Sequence, residues 1–236
     1  MRLKRVIFDL DHTLWDFDKN SEETLSELFE KHSLAVELNT SEAQFKAAYR
    51  KINAQLWNRY NKRQVTKEAL RIERFNLLFK RFNKVIPHLV EILDEEHIAR
   101  CPMKPHIFPD ALFVLEKLSN YYPIDIITNG FAETQKRKLD HSGIGKFISE
   151  LTTSESCGYT KPHPKIFQYH LEKVKSSAAE CIMIGDNPVT DIRGAASVGM
   201  KSVLFNPQKK GELLNAKYDF MISELIQLLT IMEVEP

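Results

Sequence analysis

The chain has 236 residues, with 33 Lys and Arg against 32 Asp and Glu, for a formal net charge of +1. At 43% hydrophobic and 28% charged, with 8 Gly and 10 Pro, it reads as an ordinary globular chain, not a disordered, collagenous or polybasic one. No stretch approaches the roughly 18 apolar residues of a membrane span, and the opening MRLKRVIFDLDH lacks the apolar run of about 7–15 residues that export requires, so a cytoplasmic protein is expected.

The first apolar run, Val6-Ile7-Phe8, predicts a strand. From 16 to 102 no further strand run occurs, and at least four helix starts are legible. Asn20 with Glu23 and Ser41 with Gln44 fit capping boxes, Thr66 fits a third cap, and Pro87 suits the opening position of a fourth helix. Beyond this all-helical insert the rhythm changes. Strand runs at 123–128, Ile148–Thr153, Cys181–Gly185, Lys201–Phe205 and 218–222 alternate with helical patterns near 109–121, 131–142, 164–174, 189–198 and 223–232. Such alternation predicts a doubly wound parallel sheet, a Rossmann-like α/β core made of 1–15 and 103–236, with 16–102 inserted. Within the insert, 46–84 holds 12 Lys or Arg and 2 acids, Glu68 and Glu73. Either these charges cover a solvated helix face or they attract an anionic ligand. Cys101, Cys157 and Cys181 are an odd number without ligand spacing, so neither a disulfide framework nor a zinc site is expected.

Four short segments at strand ends carry chemistry, because ligand sites in parallel sheets lie beyond the strands' carboxyl ends. Asp9-Leu10-Asp11-His12-Thr13-Leu14 follows the first strand and can turn two carboxylates to one crevice. Thr128-Asn129-Gly130 follows the second; it is a strong turn signal, and its hydroxyl and amides at a helix start also suit phosphoryl oxygens. Lys161 precedes Pro162, which restricts its backbone. Gly185-Asp186-Asn187-Pro188-Val189-Thr190-Asp191 reads partly as a helix start, with Asn187 as cap and Pro188 at the first position. That explanation leaves Asp186 at the end of a buried strand unaccounted for. Converging Asp9, Asp11, Asp186 and Asp191 would repel by roughly 4 kcal/mol per pair at 4 Å and an effective dielectric of 20. A cation is therefore expected, and all-oxygen ligands favour Mg2+ over Zn2+.

In order, DLDHTL, ITNG, KP and GDNPVTD resemble the four motifs of the haloacid dehalogenase-like hydrolases, across about 4–222, and the insert matches that family's helical cap. Leu14-Trp15, Asn53-x-x-Leu56-Trp57-x-x-Tyr60 and Ile127-Thr128-Asn129-Gly130-Phe131 resemble its pyrimidine 5′-nucleotidase branch. His163 stands where many members carry Asp, outside the chemistry. The resemblance implies Asp9 as nucleophile and Asp11 as acid and base. It also implies Mg2+ held by Asp9, Asp186 and the Asp11 carbonyl, with Asp191 completing the shell directly or through water. Thr128 and the Asn129 amide would hold the phosphoryl group, and Lys161 would offset charge. The substrate implied is a small phosphorylated metabolite in a crevice closed by the cap, a pyrimidine nucleoside 5′-monophosphate first. Sugar-phosphate or phosphoglycolate hydrolysis, phosphomutase activity, metal-free dehalogenation and a phospho-Asp signalling module are the alternatives. Trp57 and Tyr60 either pack in a core with Ile52 and Leu56 or offer a stacking face. No nucleic-acid or membrane partner is expected, and the chain would act as a monomer or homodimer.

Overall fold

Val6, Ile7 and Phe8 are fully buried, and this short apolar run forms strand β1 (Arg5–Phe8) in the interior of the sheet. The structure, a computed structural model, describes residues 3–209 and 217–235; Met1, Arg2, 210–216 and Pro236, which the sequence assigns to the core, lie outside the described residues. Beside β1 stand β2 (Ile124–Thr128), β3 (Ile148–Thr153), β4 (Cys181–Gly185), β5 (Lys201–Phe205) and β6 (Phe220–Ile222). All pairings are parallel, in the order β3-β2-β1-β4-β5-β6. The winding direction reverses between β1 and β4, where such sheets open a crevice beyond their carboxyl ends. Every residue of β2 and β4 is buried, as expected for strands covered on both faces. The last strand is shorter than the 218–222 run, because Asp219 turns its carboxylate onto the Ser202 amide before the ladder begins.

The chain divides into two compact units, one of them Asp18–Lys104 and the other the remainder. The Asp18–Lys104 unit is built from helices α1 (Phe17–Lys31), α2 (Leu34–Leu38), α3 (Glu42–Asn61), α4 (Lys67–Arg81) and α5 (Pro87–Arg100). Ser41 and Gln44 form the expected reciprocal cap of α3, Thr66 caps α4 and Pro87 opens α5. Asn20 does not cap: α1 begins earlier, with Asp18 in its first turn, and Asn20 is buried within the helix. The apolar faces meet in a core that includes Leu28, Phe45, Tyr49, Phe75, Leu78 and Leu93. Leu56 is buried, whereas Trp57 and Tyr60 are only half-buried and pack edge to face at 5.5 Å. The basic run is partly neutralised from outside itself. Lys46 pairs with Glu42, Arg50 with Glu22, and Arg71 and the buried Arg74 with Asp94.

The other unit carries α6 (Ala111–Ser119), α7 (Ala132–Ser142), α8 (Ser154–Cys157), α9 (Pro164–Lys173), α10 (Gly194–Ala196) and α11 (Gln227–Ile231). One face of the sheet packs Ile7, Ile127 and Met183 against Ile166, Phe167 and Ala195. The helix expected at 189–198 departs from regular winding: Pro188–Arg193 forms wide i→i+5 turns, with Ile192 N–H reaching the Asn187 carbonyl, and only Gly194–Ala196 is α-helical. All three cysteines are free, and no helix among the described residues is long and apolar enough to cross a membrane.

Candidate active site

The ends of β1 and β4 are locked together before any functional side chain is placed. Asp9 N–H donates to the Ile184 carbonyl at 2.8 Å. Thr13, fully buried, accepts from Asp186 N–H at 3.1 Å, and its hydroxyl lies 3.4 Å from Asp186 Oδ1. The threonine of the first motif therefore ties the two strand ends, a role that its place in the sequence did not disclose. The loop that follows β1 is tight: Leu14 and Trp15 N–H both donate to the Leu10 carbonyl, and His12 takes a left-handed φ of 63°.

Asp9, Asp186 and Asp191 bring carboxylate oxygens within 4.8 Å of one another, a group able to hold a metal ion. Lys161, 1% exposed, reaches into it with Nζ 2.9 Å from Asp9 Oδ1 and 2.8 Å from Asp191 Oδ1. Burial alone would push this ammonium down, but Asp191 and Asp9 outweigh it and hold the lysine above its usual value. One ammonium does not balance three carboxylates, Asp191 fully buried and Asp9 and Asp186 half-buried. Desolvation first, then Asp191 and Asp186, push Asp9 up to about 8 against the pull of Lys161; desolvation and Asp191 push Asp186 up to about 7. An all-oxygen, over-negative cluster of this kind fits a hard divalent cation.

Asp191 is held at both oxygens. Oδ1 accepts from Thr190 Oγ1 at 3.1 Å besides pairing with Lys161, and Oδ2 accepts from Asn187 N–H at 3.0 Å. Gly185 makes room for it: a Cβ there would lie 2.3 Å from Asp191 Oδ2. Asn187 caps the following turns as expected, accepting from Val189 and Thr190 N–H.

One expectation needs correction. Four carboxylates do not converge; the Asp11 side chain stays out of the cluster and accepts from Gln135 Nε2 at 3.0 Å and Lys138 Nζ at 2.5 Å. Beyond Asn129, Gly130 N–H donates to Thr128 Oγ1 and Ala132 N–H to Glu155 Oε2. Asn129 spends its side chain on the backbone of Lys161, accepting from Lys161 N–H at 2.7 Å and donating to the Lys161 carbonyl at 2.9 Å. That pair of hydrogen bonds, beside a cis Lys161–Pro162 peptide, sets where the lysine departs from the chain. Thr128 itself sits at the end of β2, 2% exposed.

This sheet order, with carboxylates at the ends of β1 and β4 and a buried lysine between them, defines the haloacid dehalogenase-like hydrolases. The family's model matches residues 3–199, and the chain belongs to that family. Among its relatives is pyrimidine 5′-nucleotidase YjjG of Escherichia coli (strain K12), 28% identical over 97% of each chain. A glyceraldehyde 3-phosphate phosphatase of Methanopyrus kandleri is 30% identical over 85% of this chain and 83% of its own. The solved structure of HAD-hydrolase YfnB from Bacillus subtilis, bound to magnesium, superposes with a TM-score of 0.88 at 25% identity, covering 99% of this chain and all of that one. The chain is thus an enzyme, of the phosphoric monoester hydrolase class.

Proposed function

We propose that the enzyme is a Mg2+-dependent phosphatase that hydrolyses a small phosphate monoester, a pyrimidine nucleoside 5′-monophosphate before others, through a phosphoryl group carried on Asp9. The observation that carries this reading is the half-buried Asp9 carboxylate, with Lys161 on Oδ1 and two further carboxylates beside it. Mg2+, held by the Asp9 and Asp186 carboxylates and the Asp11 main-chain carbonyl, supplies charge neutralisation for the approach of a phosphate dianion. Asp9 attacks phosphorus; the phosphorus–ester oxygen bond breaks, and Asp11 gives that oxygen a proton. Water then attacks the phosphoaspartate, Asp11 takes the proton back, and inorganic phosphate leaves with Asp9 restored. Lys161 offsets the meeting of two anions, Asp191 keeps Lys161 aimed, and the Thr128 hydroxyl and Asn129 N–H steady the phosphoryl oxygens.

The presence of Asp11, an acid and base that a metal-free dehalogenase does not need, speaks for ester hydrolysis. The nucleotide preference rests on the full-length nucleotidase relatives; the glyceraldehyde 3-phosphate phosphatase relatives favour a sugar phosphate as the second reading. A comparison of kcat/KM for dUMP, dTMP and UMP with glyceraldehyde 3-phosphate and phosphoglycolate, with Mg2+ and with chelator, separates them. The pyrimidine nucleotides are expected to lead, and only with Mg2+. A tenfold advantage for a sugar phosphate would remove the nucleotide reading and leave the phosphatase standing.

A further inference from the structure

We infer that Lys138 and Gln135 are positioning residues for Asp11, holding its carboxylate in the orientation from which it meets the water attacking the phosphoaspartate. The inference rests on the phosphatase reading above and extends it to two residues of α7 that belong to none of the four motifs.

Gln135 and Lys138 lie three residues apart, on one face of α7. Each takes one oxygen of Asp11: Gln135 Nε2 donates to Oδ2 at 3.0 Å, and Lys138 Nζ donates to Oδ1 at 2.5 Å. The lysine side chain is 4% exposed, whereas the Asp11 side chain it grips is 23% exposed. Its ammonium stands 4.3 Å from the Trp15 ring centroid and 5.6 Å from that of Phe17. A buried ammonium is unfavourable unless paired, and here one carboxylate and two aromatic faces form its socket. Gly130 belongs to the same device. Its φ is not positive, so a turn does not require glycine there, but a Cβ would sit 1.9 Å from Gln135 Nε2 and drive the amide away from Asp11. With both oxygens accepting, the Asp11 carboxylate is held in one orientation, and donation to a leaving group needs one tether to release. The hold therefore serves the second half of the reaction most directly, the half common to every substrate.

The test uses p-nitrophenyl phosphate, whose leaving group needs little protonation. For Lys138→Met, kcat is expected to fall at least tenfold with KM falling in parallel, kcat/KM to stay within threefold, and phosphoenzyme to accumulate on acid quench. Lys138→Arg should restore most of the kcat. A merely structural role would lower kcat with the active fraction, leave KM unchanged and accumulate no phosphoenzyme; that pattern, or an unchanged kcat, overturns the inference. If the Met variant does not fold, Gln135→Met, which leaves the Lys138–Asp11 pair in place, must show the same split in smaller measure, and its absence is equally decisive. A wild type that turns over neither this ester, nor any nucleotide, nor any sugar phosphate would sink the phosphatase reading and the inference together. An active wild type with unaffected variants would sink the inference alone.

Discussion

At the scale of single residues, the site is an unbalanced charge held in place by burial. Asp9 and Asp186 carry folded-state values near 8 and 7 where an unfolded chain has 3.8. A carboxyl raised on folding contributes stability that is fully present below the unfolded value. That contribution is lost as pH rises through the folded one. The metal-free protein should therefore lose thermal stability between about pH 4 and pH 8, the direction opposite to that of ordinary salt-bridged carboxylates. A divalent cation bound to the ionised cluster removes the penalty where it is greatest. Thermal melts with and without Mg2+ should give a larger rise in Tm near pH 8 than near pH 5. A rise that is equal at both, or larger near pH 5, would contradict this electrostatic account.

At the scale of elements, the helical unit depends on one buried carboxylate. Asp94 of α5 accepts from Arg74 Nη2 at 3.0 Å and Arg71 Nε at 3.3 Å. Arg74 also donates to the Tyr49 hydroxyl at 3.4 Å, which lies 3.0 Å from His97 Nε2. Burial pushes that tyrosine up to about 12, so it stays a neutral hydroxyl within the network. Asp94→Ala leaves the Arg74 guanidinium buried without its anion, a loss of about 3–5 kcal/mol. Urea denaturation should show a change of that order, while Lys46→Ala, at a solvent-accessible i,i+4 pair, should change stability by no more than about 0.5 kcal/mol. Similar values for the two variants would mean that Asp94 does not organise the unit.

At the scale of the whole molecule, what was legible in the sequence was what is local. Strand β4 falls where its apolar run stands, because a strand covered on both faces reads as a continuous apolar segment; β5 follows the run Val203–Phe205, and the edge strand β3, ISELTT, follows a weaker one. Asp9, Thr128 and Asp186 were legible because parallel sheets collect chemistry at strand ends. What escaped are contacts made by fold rather than by spacing. Thr13 meets Asp186 across 173 residues, and Lys138 meets Asp11 across 127. Asp125, buried in β2, pairs with Arg5 and His170, and nothing in its own segment announces the partners. The partners of the basic run at 46–84 were hidden for the same reason, since Glu22, Glu42 and Asp94 lie outside the counted window. The wide turns at Pro188–Arg193 escaped because Asp191 folds back onto Asn187 N–H, a choice that helix propensity does not encode.

The central claim is that Asp9 itself carries the phosphoryl group during turnover, and acid quenching with radiolabelled dUMP phosphate, borohydride reduction and peptide mapping tests it most directly. The account predicts label on the peptide that contains Asp9, reduction at that residue alone, and no label with Asp9→Asn, whose amide has the same shape but cannot attack. Label on another residue, or turnover by Asp9→Asn above a few per cent of wild type with no reversion to Asp, would contradict it.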